Sequence, residues 1–144
     1  MADSRGAQWT KLIFNAATNP IGALTRLPHG VACDQPRVRA LISQLVAEGV
    51  AVAEAQGITL DSDPDALVDH AREVAYHHKA SMLQDALARR RTEVAALNGG
   101  IVEFGIAETL AGDRKEKSVH ETEIVANVGF KRAGRQGPLG VANL

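Results

Sequence analysis

The stretch Trp9-Thr10-Lys11-Leu12-Ile13-Phe14-Asn15-Ala16-Ala17-Thr18-Asn19-Pro20 decides how this chain is read. Wound as a helix, it sets Lys11, Asn15 and Asn19 at i, i+4 and i+8, so one ammonium and two carboxamides stack along one face. At about 1.5 Å rise per residue the three span roughly 12 Å, the length of a small polar metabolite with its hydrogen-bond partners. Leu12, Ile13, Phe14, Ala16 and Ala17 supply the apolar flank, and no acid within a turn neutralises Lys11. A solvated helix face usually carries Glu, Arg and Lys in place of Asn, which forms helix poorly. The stretch therefore predicts a helix with a polar binding face.

The rest of the chain suits that start. Its 144 residues allow one domain with a modest core. The hydrophobic fraction of 45% is carried by Ala, Val, Leu and Ile, with only 3% aromatic, which favours closely packed helices over a sheet. A net charge of -1 argues against a general nucleic-acid or anionic-membrane binder. The lone Cys33 excludes an internal disulfide and a multi-cysteine zinc site, and fits a reducing compartment. No run reaches the length of a membrane span, and Met1 to Gly6 lacks the apolar core of a secretory signal. The expectation is a cytoplasmic, all-α domain.

Periodicity and punctuation place the helices. The first is expected from about Gln8 to Leu24, with a kink or a new start after Asn19, because Pro20 cannot donate to the carbonyl of Ala16. Leu27-Pro28-His29-Gly30 reads as a turn or loop. Asp34 is a capping candidate before Pro36, and the next helix buries Val38, Leu41, Ile42, Leu45, Val46 and Val52 before stopping at Gly57. Ser62 or Asp63 caps a third helix with an apolar face of Ala66, Leu67, Ala71, Val74 and Ala75. Ser81-Met82-Leu83-Gln84 fits a capping box, which breaks the chain after Lys79 and puts Ser81 beside open N–H groups. A last helix begins near Thr92 and carries Val94, Leu97, Ile101, Val102 and Phe104; its Gly99, Gly100 and Gly105 predict close helix contacts. Residues 1–110 thus form one helical domain. From Ala111 to Leu144 a charge run and a Gly-rich segment predict a poorly ordered tail, with Thr122 to Val128 a short helix or strand.

Trp9-Thr10-Lys11…Asn15…Asn19-Pro20, then Ser81-Met82-Leu83-Gln84-Asp85, then Arg91-Thr92-Glu93…Leu97-Asn98-Gly99 together resemble the C-terminal domain of ketopantoate reductase (2-dehydropantoate 2-reductase). The resemblance covers about residues 3 to 108, in order, including the twelve-residue step from Ser81 to Glu93. It implies an all-helical domain like that of 6-phosphogluconate dehydrogenase, which in the family follows a Rossmann domain that binds NADPH. It also implies reduction of ketopantoate to pantoate in pantothenate synthesis. The family's catalytic lysine falls on Lys11, its substrate-binding asparagines on Asn15 and Asn19, its substrate-binding serine on Ser81, and its glutamate on Glu93. Glu93 is then expected to orient Lys11 and contact the nicotinamide ribose.

The chemistry agrees. Hydride attack on a ketone builds negative charge on the carbonyl oxygen, which a positioned ammonium can stabilise and protonate. Burial can lower a lysine's pKa toward neutrality, whereas arginine cannot release its proton. Carboxamides and a hydroxyl can bind hydroxyl and carboxylate groups. The chain also departs from the family. His29 stands where Asn is common, though it too can bind a substrate carboxylate. After Ala107 no Pro-x-Asn segment and closing helix follow, and no Gly-x-Gly-x-x-Gly turn follows a strand. The dinucleotide-binding half is therefore expected to be absent, which leaves little or no activity in the chain alone.

Blander readings stand beside these. A Lys-Asn-Asn face is more often solvated or interhelical, Ser81 merely a cap, and Glu93 a first-turn acid favoured by the helix dipole. His77 and His78 point to different helix sides, so no metal site is expected. Arg89-Arg90-Arg91 reads as a solvated basic turn ahead of a phosphate contact, and Cys33 as an inert thiol. Two functions remain: the substrate-binding and catalytic half of an NADPH-dependent 2-oxoacid reductase, or a non-catalytic helical dimerisation or regulatory module, including a truncated remnant. The expected partners are ketopantoate and either a second copy or a Rossmann domain in trans, since exposed apolar surface predicts self-association.

Overall fold

The computed structural model describes residues 4–112, with side chains through residue 107. Six helices follow one another with no strand among the described residues: α1 (Ser4–Thr25), α2 (His29–Cys33), α3 (Pro36–Ala55), α4 (Pro64–Val74), α5 (Ser81–Leu87) and α6 (Val94–Gly112). The tail expected from Ala111 lies outside the described residues, except that α6 runs two residues into it.

α1 is the axis, and it packs against all five other helices. Its buried Gly6, Thr10, Ile13, Ala17 and Ile21 recur at three and four residues, the period that lines up one helix face. Ile13, Ala17 and Ile21 meet Ile42, Leu45, Val46 and Ala53 of α3, with Val68 of α4 and Cys33 of α2 closing the core. α1 and α3 approach closely because Gly49 lies under Ile13: a Cβ there would stand 3.0 Å from both branches of the isoleucine.

The ends of α3 and α4 obey local rules. Gly57, at φ +68°, stops α3; the N–H of Ile58 bonds the carbonyl of Ala53 at 2.9 Å and that of Gly57 the carbonyl of Glu54 at 2.9 Å. These two bonds satisfy carbonyls the helix itself leaves open. Asp63 caps α4, its carboxylate accepting from the N–H of Asp65 at 2.9 Å, with Pro64 in the first turn.

Elsewhere the structure corrects the expectations. α1 starts four residues before Gln8 and continues through Pro20 to Thr25 without a restart. The carbonyl of Ala16, which Pro20 cannot serve, accepts from the side-chain Nδ2 of Asn98 on α6 at 2.9 Å. His29 and Gly30 open the short α2 instead of lying in a loop; their N–H groups donate to the carbonyls of His78 and Tyr76, both at 2.9 Å. Asp34 does not cap α3, whose cap position is Gln35 with no side-chain cap bond, because Arg72 and Tyr76 hold the Asp34 carboxylate. α4 ends at Val74, not Lys79, and buries Pro64 and Val68, whereas Ala66 is exposed and Val74 is 68% exposed. Ser81 is the first residue of α5 with Ala80 as its cap, and Gln84 Nε2 donates to the carbonyl of Lys79 at 2.9 Å, so no capping box forms. Among the described residues the close contacts expected at Gly99 and Gly100 are missing: a Cβ at either would meet nothing within 4 Å.

Two polar clamps tie α4 to its neighbours. Arg39 on α3 grips Asp65 with Nη1 at 3.0 Å and Nη2 at 3.1 Å and reaches Asp69 through Nε at 3.0 Å. This fork holds the Asp65 carboxyl below its ordinary range and pushes the guanidinium further up. Asp34 is held low in the same way, first by the Tyr76 hydroxyl and then by Arg72.

Candidate active site

Helix α1 presents Lys11, Asn15 and Asn19 on one side and its core residues on the other. Lys11 is exposed, while Asn15 and Asn19 are half-buried. Thr10 and Thr18 are buried and turn inward, donating to the carbonyls of Gly6 at 2.9 Å and Phe14 at 2.8 Å.

Lys11 lines a cavity of about 320 Å³ between α1, the connection before α4, and α4 itself. Its walls are mainly apolar: Phe14 on one side and Leu67, Ala71, Val74 and Ala75 on the other, with Ser62, Asp61 and His70 adding polar edges. The face predicted as the core side of α4 is therefore largely a cavity wall, which explains why Val74 is so exposed. Asn15 and Asn19 lie outside this lining. Among the described residues no carboxylate pairs with Lys11.

The other expected residues are brought in to different degrees. The start of α5 meets α1 beside Gly22, where a Cβ would stand 3.6 Å from the Cβ of Ala80. This sets the exposed Ser81 near the Asn19 end of the face, with a hydroxyl that caps nothing. Glu93 is exposed just ahead of α6, and its carbonyl accepts from Ala96 and Leu97. The structure does not bring its carboxylate into an ion pair with Lys11.

His29 is tied into the fold. Its Nε2 lies 3.1 Å from the carbonyl of Val68 and 3.6 Å from Cys33 Sγ, and its ring lies 5.9 Å from that of Phe14. A carbonyl only accepts, so Nε2 carries the proton and Nδ1 alone remains for another partner. Burial pushes the Cys33 thiol up, consistent with an unreactive thiol.

Residues 3–111 match the family described as ketopantoate reductase PanE/ApbA C terminal. The chain belongs to that family. The 2-dehydropantoate 2-reductases of Pyrococcus horikoshii and Pyrococcus abyssi are 35% and 36% identical to it over 99 and 102 residues. Those matches cover 69% and 71% of this chain and 33% and 34% of the relatives, so the chain spans about a third of their length. The crystal structure of a PanE/ApbA family ketopantoate reductase from Ralstonia eutropha JMP134 superposes with a TM-score of 0.70 at 31% identity, covering 87% of this chain and 40% of that one. A dimeric ketopantoate reductase from Staphylococcus aureus, at 23% identity and a TM-score of 0.66, shares the fold.

Family membership makes the absence of a nucleotide cradle a local matter. The described residues form helices and connections with no strand, and offer no strand–turn–helix for dinucleotide phosphates. Glu93 is exposed just ahead of α6. No described helix is long and apolar enough to cross a membrane.

Sequence reasoning gave no role to Asn98, Arg39, Arg72 or Tyr76. The last three join partners at least 26 residues away, beyond the reach of periodicity. Asn98 did leave a signal, a carboxamide inside an apolar run of α6.

Proposed function

We propose that this chain is the substrate-binding and catalytic half of an NADPH-dependent 2-dehydropantoate 2-reductase that reduces ketopantoate to pantoate. The observation that carries the reading is the placement of Lys11. Its ammonium has no carboxylate partner among the described residues, borders an apolar-walled cavity, and shares a helix face with the half-buried Asn15 and Asn19. NADPH, when bound, supplies the hydride.

In this reading Lys11 Nζ donates to the ketone oxygen and gives it a proton as charge develops there. Asn15, Asn19 and Ser81 hold the substrate's hydroxyl and carboxylate, which fixes the carbonyl against Lys11. Glu93 contacts the nicotinamide ribose, and orienting Lys11 requires its carboxylate to move from the position it has here. His29 reaches a substrate carboxylate only through Nδ1. General acid help of this type is worth roughly 10² to 10⁴ in rate.

The test is ketopantoate-dependent NADPH oxidation, followed with an NADPH-binding domain of a relative fused to the chain or added in trans. Activity is expected, and Lys11→Ala should lower kcat at least a hundredfold while the helical circular dichroism is unchanged. Activity indifferent to Lys11→Ala would remove Lys11 as proton donor.

A second reading has its own observation. Phe104 and Ile106 on α6 are 45% and 46% exposed, so a non-catalytic module that self-associates would use this helix. A monomeric sedimentation profile at micromolar concentration counts against it.

A further inference from the structure

We propose that Asn98 is a positioning residue for the Lys11–Asn15–Asn19 face, standing in for the backbone donor that Pro20 removes from α1. The inference rests on the reading of that face as the substrate wall, and deepens it by naming what holds the wall in register.

Two local penalties fall on the turn that carries Asn19. Pro20 has no N–H for the carbonyl of Ala16, and its ring disfavours helical backbone at the residue before it. Both would normally end or bend the helix there. α1 nevertheless continues for a further five residues to Thr25, and Ala16, one residue beyond Asn15, is buried. Its carbonyl sits where water is scarce and takes the Asn98 Nδ2 donor at 2.9 Å from a helix 82 residues on in sequence. The orphan acceptor created by Pro20 is thus satisfied from outside the helix, at the turn joining Asn15 to Asn19.

The other end of the carboxamide supports this assignment. Asn98 Oδ1 is buried and has no hydrogen-bond partner. A leucine of similar shape would avoid that cost, so the bond made by Nδ2 is the feature that only Asn supplies. The neighbouring Gly99 and Gly100 touch nothing that would need their small size. α6 docks on α1 and α3, and the bond to Ala16 crosses from it to α1. α6 docking and the geometry of the polar face are therefore linked through this bond, beside the ring contact of Trp9 with Phe104. When the bond is lost, α1 relaxes at the Asn19–Pro20 turn and Asn19 leaves the line set by Lys11 and Asn15.

Pro20 makes the test specific, because Pro20→Ala restores the missing N–H and should make Asn98 dispensable. In the full-length chain, Asn98→Leu is expected to lower the thermal midpoint by about 5 °C, and by less than half of that in a Pro20→Ala background. Asn98→Leu should also shift the side-chain NH₂ resonances of Asn15 in a ¹⁵N spectrum, while Pro20→Ala with Asn98→Leu should match Pro20→Ala alone. Folding of that double variant where Asn98→Leu alone fails to fold also supports the proposal. An equal loss in both backgrounds, including failure to fold in both, overturns it, as do unmoved Asn15 resonances. Titrating the unaltered chain with ketopantoate separates the two claims. If it leaves the Asn15 and Asn19 resonances unchanged, the substrate reading falls, whereas the coupling to Pro20 decides the proposal for Asn98.

Discussion

α3 and α6 both carry glycine where alanine would be the better helix former, and they use it in opposite ways. Gly49 on α3 lies under Ile13, so a side chain there collides with the centre of the core. Gly99 and Gly100 on α6 face open space. The α3 side of the domain is closed within the chain, by packing and by the Arg39 clamp onto Asp65 and Asp69. α6 is apolar on nearly all sides yet packs on one. A helix apolar all round belongs in an interior. One glycine pattern thus marks a finished interface, and the other a face that the described residues leave open.

The comparison is broken most severely on the closed side at Gly6. A Cβ there would come within 2.4 Å of the Thr59 carbonyl oxygen, which is backbone and cannot swing away. Gly6→Ala must displace the connection that also carries Asp61 and Ser62 into the Lys11 cavity. We expect a loss of about 3 kcal/mol, read as a lower denaturant midpoint at unchanged slope. The binding face should be damaged along with stability.

Gly49→Ala is milder. Its Cβ meets the two branches of Ile13 at 3.0 Å, and Ile13 is fully buried, so relief requires a shift of the core. Overpacking of this kind costs about 1–3 kcal/mol, offset by the 0.5–1 kcal/mol that alanine gains in a helix. A net loss near 1 kcal/mol, seen in urea unfolding, is expected. A gain in stability would show that α1 and α3 are less tightly joined than the contact implies.

Much of the closed side was legible in the sequence, because its determinants are local. Gly57 stops α3 through its own backbone geometry, and Asp63-Pro64 starts α4 through a bond two residues away. The polar face of α1 follows from spacing alone. What escaped were partnerships across long loops. Asp34 has the right residue type and position for a cap, but Arg72 and Tyr76 claim it from the far end of α4. Leu67, Ala71, Val74 and Ala75 are apolar at helical spacing, yet a cavity wall and a core face have the same period. Only the neighbours decide, and these place Val68 in the core. Ser81 carried the letters of a capping box, but Ala80 takes the cap and leaves the serine hydroxyl outward.

The charged part of the closed side can be tested by pH. Asp65, Asp69 and Asp34 all have carboxyls held below the ordinary range, in each case first by a hydrogen bond from a partner side chain. A carboxyl whose folded pKa is depressed adds stability above its unfolded value, near 3.9, and that contribution is lost as pH falls through the folded value. Stability should therefore decline below about pH 4, and Asp65→Asn should flatten that decline. Asp65 is partly exposed, so solvent screening limits its share to under about 1 kcal/mol. An acid limb unchanged by Asp65→Asn would leave Asp69 and packing as what closes α3 against α4.

The smallest effect falls on the open side, and its sign carries the information. Nothing among the described residues opposes a methyl group at Gly99 or Gly100, so alanine at either should stabilise the chain by about 0.5–1 kcal/mol through helix propensity. The gain should be independent of protein concentration if that face is bare in solution. If copies or another domain pack against it, the added methyl groups meet that partner, and the gain shrinks or reverses as concentration rises and association becomes complete. Melting Gly99→Ala and Gly100→Ala at low and high concentration therefore distinguishes a glycine pair that is merely tolerated from one kept open for a partner. The same pair of measurements on Gly49→Ala should show no concentration dependence, because its opposing atoms belong to the same chain.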